Sequence, residues 1–579
     1  MPQFQIQGYN YPSYWNTYYG EPASRESLSD LAETGAGWVS LVPNWYTRDL
    51  TGSVVRRTEA TESDAHVIAA IRQAHQAGLN VILKPHVDPE SGDFRGLFRP
   101  RDVERWFSTY RAMIVNYARI AEREGVQAMS IGCELDSLDG ARYARQWTRI
   151  INDVRAVFSG DLTYASLDSG IEESPFWGQV DTIGVDAYVE LTNGTMPTLA
   201  RAIEAWFVPA TWWEAAKHGE GGAIAHYRAL SEHYDKPILI TETGWRNRDG
   251  AGADPGDWAT ESPRDDAEQA LGYQAFFRAW SGNTGGADPW MRGAMFWNWD
   301  PFDPATNPYA LPVDYTPQGK PALDVVSRWL RSGNQGRWAF QGGDGNDGLR
   351  GGRRDEVLVG YRGNDVLVGG AGHDLLNGGR GRDTMNGGAG RDMASYLGVE
   401  EVTVDLGRVG WQNTGAGGWD RLVGIEDLAG GLLADHLAGD DRANRLYGNE
   451  GSDTLTGRGG RDTLYGEGGN DTLTGGAGAD IFVLDNPGGG RDVILDFQSG
   501  VDRLALSGLQ YGLRPGMLNG QRLAFGTAAP RPGTRLVYDT ASGRLSYDAD
   551  GSGSGAAVAI AVLKGAPTVR ASDLLILKG

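Results

Sequence analysis

The chain has one cysteine, Cys133, in 579 residues, so no intrachain disulfide can brace it. It has no run of about eighteen apolar residues that would cross a bilayer. Its opening, Met1-Pro2-Gln3-Phe4-Gln5, has no charged segment leading into an apolar core, so no signal peptide is expected. Positive charge is also short: 53 Lys and Arg stand against 75 Asp and Glu, a formal net charge of −22. Nucleic acid and anionic membranes both call for a basic surface. Neither is expected as a partner, and no membrane insertion is expected. The scarcity of cysteine by itself points to a reducing compartment.

What the chain does have is unevenly placed. Many of its 19 Trp and 23 Tyr fall in the first part of the chain, and many of its 85 Gly fall between residues 342 and 483. Both usages are well above average. Two different materials are joined in a chain too long for one ordinary domain.

In the first part, short apolar runs alternate with helix-period stretches. Eight candidate strands begin near Gln5, Trp38, Asn80, Ala128, Leu162, Thr182, Ile238 and Gly293. Helix-like segments, among them Ser63–Ala77, Arg101–Gly125, Gly140–Phe158 and Arg264–Ser281, lie between most of them. No glycine-rich phosphate turn follows the first strand, which disfavours a doubly wound open sheet. The expected fold class is α/β, a (β/α)8 TIM barrel over residues 1–331. In that fold the strand ends and following loops carry the chemistry. Those ends hold Tyr9, Asn10, Asn44, Trp45, His86, Asp88, Glu134, Asp168, Asp186, Tyr188, Glu242, Trp245, Trp297 and Trp299.

Glu134 ends strand four and Glu242 ends strand seven, on opposite sides of the barrel mouth. Hydrolysis of a glycosidic bond needs one carboxyl group to protonate the leaving oxygen and a carboxylate across the ring. Two glutamates so placed predict that catalysis, with no catalytic cofactor. Trp297 and Trp299 offer flat indoles for stacking on a sugar. The loop carrying Trp206, Trp212 and Trp213 has a helical spacing that reads as packing, and the Gly- and Asp-rich loop from Asn247 to Pro263 reads as flexible.

The segments Ile131-Gly132-Cys133-Glu134-Leu135 and Thr241-Glu242-Thr243-Gly244, with Gly8-Tyr9-Asn10-Tyr11 and Phe296-Trp297-Asn298-Trp299, resemble glycoside hydrolase family 113. That resemblance implies a retaining β-1,4-mannanase with Glu134 as acid/base and Glu242 as nucleophile. It implies a polysaccharide or oligosaccharide substrate, with Tyr188 holding the nucleophile and His86 and Asn44 touching sugar hydroxyls. Most of the wider clan has Asn just before the acid/base; Cys133 stands there, so the 2-hydroxyl is not read in the common way. Exo-β-mannosidase action, another β-glycan (galactan, glucan or xylan) and a non-catalytic glycan-binding adhesin are the alternatives.

After a linker at 332–341, glycines and acids recur every nine residues over 342–483, in two blocks with an insertion at 396–429. The sixth position falls at Asp347, Glu356, Asp365, Asp374, Asp383 and Asp392, then at Asp435, Asn444, Asp453, Asp462, Asp471 and Asp480. Leu349, Leu358, Leu367 and Leu376 keep register with the acids, which a disordered linker would not do. The pattern matches the nonapeptide repeat of RTX proteins, an all-β parallel β-roll. Glycines turn the backbone tightly while the Asp supplies a hard oxygen for Ca2+. The ten Asp residues are the expected structural calcium ligands, paired two units apart, as in Asp365 with Asp383 and Asp453 with Asp471. Glu356 and Asn444 are departures expected to weaken their sites. Residues 484–579 resemble the C-terminal cap of RTX exoproteins, and Asp573-Leu574-Leu575-Ile576-Leu577 resembles an uncleaved signal for type I secretion machinery. That implies an extracellular protein exported unfolded, with which the scarcity of cysteine agrees.

Overall fold

The computed structural model describes residues 4–14, 16–192, 198–257, 259–260, 262–281, 290–302, 313–332, 337–484, 490–508, 510–514, 516–517, 522–529, 534–551, 555 and 557–577. Residues 333–336 of the expected linker lie outside them.

Eight parallel strands close a barrel. They are β1 (Ile6–Ser13), β2 (Trp38–Thr47), β3 (Asn80–Leu83, resuming as His86–Pro89), β4 (Ala128–Cys133), β5 (Asp161–Leu167), β6 (Ile183–Asp186), β7 (Ile238–Thr243) and β8 (Met291–Phe296). Closure comes from β1, which pairs with both β2 and β8. β6 and β7 are buried throughout, as strands covered on both faces must be. The break in β3 has a simple cause. Leu83 pairs with Leu41 and His86 with Asn44 in unchanged register, but Pro85 between them has no N–H to give the ladder.

The helices fall close to their expected limits because their caps are chemical. Ser63 accepts from the His66 amide at 3.1 Å and starts Asp64–Gln76. Asp102 starts Val103–Glu124, which Gly125 ends in the left-handed region at φ 69°. Gly140–Phe158 overshoots the most: the observed helix is Ala144–Arg155, and a 3-10 turn, Ala141–Tyr143, precedes it.

The chain divides into two compact units, one of residues 1–189 and 224–336, the other of 190–223 and 337–579. Residues 190–223 leave the barrel chain after β6 and pack within the repeat unit. The repeats form a roll. Its long sheet runs unbroken through Val357–Val359, Leu375–Asn377, Met393–Ser395, Asp427–Ala429, Arg445–Tyr447, Thr463–Tyr465, Ile481–Leu484 and Arg503–Ser507. The intervening rungs form two sheets instead of one. Gly418–Val423 ends the first on Thr384–Ala389, and Thr403–Asp405 begins the second on His436–Ala438. The insertion at 396–429 thus supplies a strand to both and continues the roll. Leu358, Leu367, Leu376, Leu455 and Leu464, from both faces, share one core. The final strand, Leu574–Leu577, pairs in parallel with Arg503–Ser507.

In most nonapeptides the second position takes a positive φ, which glycine meets freely, as Gly379 does at 78°. Tyr361, Asn449 and Glu467 occupy that position at φ 73°, 72° and 62°. A left-handed non-glycine residue costs about 1–2 kcal/mol, and all three grip residues 190–223. The Tyr361 hydroxyl donates to the Phe207 carbonyl at 3.2 Å. Arg201, on the helix Leu199–Glu204, donates to Glu467 at 2.8 Å and 3.1 Å and to Asn449, with its guanidinium 4.9 Å from the Tyr447 ring. Glu204 accepts from the Asn377 amide at 2.7 Å. Trp206 is buried here, as packing requires, whereas Trp212 and Trp213 are exposed.

Glu467→Ala should lower the stability of the repeat unit by about 3–5 kcal/mol, because it strands a buried guanidinium. Arg201→Met with Glu467→Leu should recover most of that loss. Thermal unfolding of the full chain in calcium checks both.

Candidate functional site

β3 and β7 bring the site together. Lys84, at the break in β3, donates from Nζ to Oε1 of Glu242 at 2.5 Å and lies 3.5 Å from Oδ1 of Asp186. Tyr188, two residues beyond β6, donates to the other Glu242 oxygen at 3.0 Å. Residues two apart on a strand share a face, so His86 joins Lys84, with its Nε2 3.8 Å from Glu242 Oε1. Cys133 links the two glutamates. Its Sγ is 3.9 Å from Glu242 Oε1 and 3.5 Å from Asp186 Oδ2, and Glu134 follows it in the chain. Glu134 is itself left-handed, at φ 50°, with its amide held by the Ala165 carbonyl at 2.8 Å. Arg95, from the 3-10 turn Arg95–Leu97, completes the ring, 3.7 Å from Glu134 Oε2.

These surroundings separate the two glutamates. Burial pushes the Glu134 carboxyl well above its usual range, and the Glu242 charge adds to this, while Arg95 opposes it. Glu242 instead has an ammonium and a phenol donating to it. Asp186 is pushed up to about 7, first by burial and then by Glu242, against the pull of Lys84. Burial also raises the Cys133 thiol, so it is a neutral packing group and not a nucleophile. His86 is driven well below its ordinary value by burial and then by Arg95 and Lys84, which makes it a neutral imidazole. His86, Cys133 and Glu242 offer three donor atoms within 4.8 Å of one another. Lys84 on Glu242 and Arg95 on His86 already place two cations there, which opposes a third. A carboxyl kept protonated by burial, beside a second one that accepts from an ammonium and a phenol, suits acid-assisted displacement at an acetal carbon.

Four of the expected sugar contacts are corrected. The Trp45 indole donates to the Tyr117 hydroxyl on the helix Val103–Glu124 at 2.9 Å, with Arg57 on its ring, and so packs toward the helix layer. Trp245 packs on Tyr273 and Gly272 of the helix Asp266–Trp280. Trp299 donates to Ser27 Oγ at 3.0 Å and meets Tyr9 edge-on, and Tyr9 is fully buried between Trp299 and Phe296. These rings seal the barrel wall. His86, Tyr188 and Trp297 do surround Glu242, with Trp297 parallel to His86 at 6.1 Å, and Asn44 is buried in register with His86. Asp186, read at the end of strand six, does stand beside Glu242 and Lys84, while Lys84 and Arg95 were missed. Among the described residues of the loop at 247–263, Arg248 pairs with Asp257 at 3.2 Å and the Gly250 amide donates to Glu268 at 2.9 Å.

The roll contains a second arrangement. In most rungs, one oxygen of the sixth-position Asp accepts the amide of the residue eighteen earlier, as Asp383 does for Asp365 at 2.7 Å. The other oxygen of Asp365, Asp374, Asp383, Asp392, Asp453, Asp462 and Asp471 is buried with no hydrogen-bond partner. Orphaned anionic oxygens, aligned two units apart amid backbone carbonyls, fit calcium's preference for hard oxygen ligands. Two of the expected ligands differ. The second oxygen of Asp347 accepts the Gly343 amide at 2.8 Å and that of Asp435 the Gly431 amide at 2.6 Å, so backbone takes the ion's place there. Asn444 likewise accepts the Asp440 amide at 2.8 Å, while Asp480 keeps the ladder bond to Asp462 at 2.9 Å.

Burial raises Asp374 and Asp383 to about 7 and Asp453 to about 8 in the metal-free roll. A carboxyl whose folded value is raised binds protons more tightly folded than unfolded, so the stability it lends is present at low pH and lost as pH rises toward 8. EGTA should therefore cost more β-sheet circular dichroism at pH 8 than at pH 5.5. Equal loss at both values would contradict the argument.

The profile described as Glycoside Hydrolase Family 113 matches residues 9–330. The RTX calcium-binding nonapeptide repeat matches residues 359–394, 430–464 and 456–486. No curated protein matches the chain. Among solved structures, a GH113 β-mannanase from Alicyclobacillus acidocaldarius is similar at 26% identity and TM-score 0.48, covering 57% of this chain and 98% of its own. A GH113 β-1,4-mannanase is similar at 23% identity and TM-score 0.47, covering 57% and 100%. A GH5_18 protein from Streptomyces cattleya is similar at 16% identity and TM-score 0.39, covering 60% and 85%.

Proposed function

The chain belongs to glycoside hydrolase family 113, and from that membership we propose that it is a retaining endo-β-1,4-mannanase. That it is a glycosidase carrying calcium-binding repeats follows from the two families it contains. The reading of its mechanism rests on the unequal state of Glu134 and Glu242. Glu242, oriented by Lys84 and Tyr188, attacks the anomeric carbon while Glu134 gives its proton to the leaving oxygen. Once Glu242 is esterified its charge is gone, and with it one of the influences that raise Glu134. The Glu134 carboxylate then takes a proton from water, which releases the sugar with its configuration retained. Buried Cys133, in place of the clan's usual Asn, supports mannose as the sugar bound.

We propose also that the seven aspartates with an orphaned oxygen are calcium ligands, and that the protein acts outside the cell after type I export. Asp573 accepts from Ser499 Oγ at 2.6 Å and from the Arg570 amide at 2.9 Å, anchoring the last strand in the roll. A signal built of those residues is readable only before that strand pairs, which agrees with export of an unfolded chain.

Release of reducing ends from mannan, galactan, xylan and β-glucan should be greatest on mannan, and NMR of the first product should show the β-anomer. Glu242→Ala should lower kcat by on the order of 10⁴-fold with unchanged circular dichroism; retained turnover would remove Glu242 from the mechanism. In the wild type kcat/KM should fall as pH rises through the raised value of Glu134, because the acid loses its proton. Glu134→Gln should abolish that alkaline limb.

A further inference from the structure

His86 and Arg95 meet in a contact that fixes where one proton sits. Arg95 Nη1 lies 2.6 Å from His86 Nδ1. A guanidinium donates and never accepts, so Nδ1 holds its lone pair toward Arg95 and the ring proton resides on Nε2. Asp88 sets the guanidinium in turn, with Oδ1 2.8 Å from Arg95 Nε. His86 is 2% exposed, and its Nε2 has no hydrogen-bond partner. A buried donor left unpaired is costly unless something that binds there uses it. It points toward the nucleophile's flank, 3.8 Å from Glu242 Oε1, the oxygen that Lys84 also holds.

We propose that Arg95 is a positioning residue that locks His86 as a neutral Nε2–H donor for the sugar hydroxyl next to the anomeric carbon. With that carbon against Glu242, two oxygens come within reach of the Glu242 flank: the ring oxygen and the 2-hydroxyl. The ring oxygen gains positive charge in the oxocarbenium-like transition state and is a poor acceptor. Hydrogen bonds to the 2-hydroxyl, by contrast, strengthen there. Cys133 holds the place from which the clan's Asn reads that hydroxyl, and a thiol is a weak donor. The Asp88–Arg95–His86 chain supplies the missing donor from beside it, a His86 ring nitrogen lying within 4.8 Å of the Cys133 sulfur. Arg95 also contacts Cys133 at 3.5 Å and Glu134 at 3.7 Å, so its removal needs a test that separates proton placement from charge.

The inference rests on Glu242 as nucleophile, and its first readout does not depend on activity. In the full chain with 15N-labelled histidine, His86, assigned by loss of its signals in His86→Gln, should be neutral and protonated only at Nε2 from pH 5.5 to 8. In Arg95→Ala it should show both tautomers and begin to titrate. An Nδ1–H or imidazolium signal in the wild type would overturn the proposal.

The second readout is a double-mutant cycle on whichever of the four glycans the wild type hydrolyses. A Gln amide can present a donor near the Nε2 position whatever stands at residue 95. Arg95→Ala should therefore cost about a hundredfold in kcat when residue 86 is His, and only a few-fold when it is Gln. Equal losses in both backgrounds would mean that Arg95 acts through Glu134 or through folding, and the proposal would fall. Loss of all activity in Glu242→Gln with the wild-type histidine spectrum would support both readings. Full activity in that variant would overturn the nucleophile assignment and, with it, the role given to the sugar hydroxyl.

Discussion

Both halves of the chain bury carboxylates, and the way each one neutralises them decides what it can do. In the barrel the compensation is internal. Glu134, Asp186 and Glu242 converge, and Lys84 and Arg95 are carried to them on β3 and the turn that follows. In the roll the compensation is left open. Seven of the ladder Asp residues satisfy one oxygen with a backbone amide and bury the other without a hydrogen-bond partner. The barrel brings its counter-charges with it, while the roll takes them from solution. One chain therefore contains a catalytic unit whose charges are set by its own residues and a calcium-binding repeat unit that leaves anionic oxygens unmatched by its own side chains.

Local irregularities do much of the positioning. Pro85 breaks the ladder of β3 without shifting its register, so Lys84 and His86 stay on one face and both reach Glu242. Glu134 adopts a backbone conformation that asparagine or glycine would take more readily. A side chain held against that preference marks a place where geometry outranks local stability. The same is true of Tyr361, Asn449 and Glu467 in the roll, whose side chains make contacts that glycine could not.

The barrel, its strand order and the two glutamates were legible in the sequence, because alternation and strand-end position are local properties. The roll was legible because its period is strict. The cationic partners of the glutamates were not. Lys84 precedes a proline in an apolar run, and Arg95 lies in a loop of no regular pattern; only closure of the barrel brings them to Glu242 and Glu134. Trp45, Trp245 and Trp299 were misread for a related reason. An aromatic residue near a strand end faces the mouth or the wall according to a half-turn of strand that composition does not record. Asp347 and Asp435 have the repeat's signature, yet a neighbouring amide occupies the oxygen that would otherwise meet an ion, and no spacing rule reveals that.

Residues 190–223 give the chain an unusual heredity. Most multidomain proteins can be recombined at their linkers, since each piece carries its own partners. Here a gene cut near residue 336 would leave the barrel half with Arg201 and Glu204 but without Glu467, Asn449 and Asn377, which satisfy them. Exchange of the catalytic half for a relative's would succeed only if the borrowed sequence brought a compatible segment after β6. The two halves can therefore diverge in their surfaces and active-site detail, but along that segment they must change together.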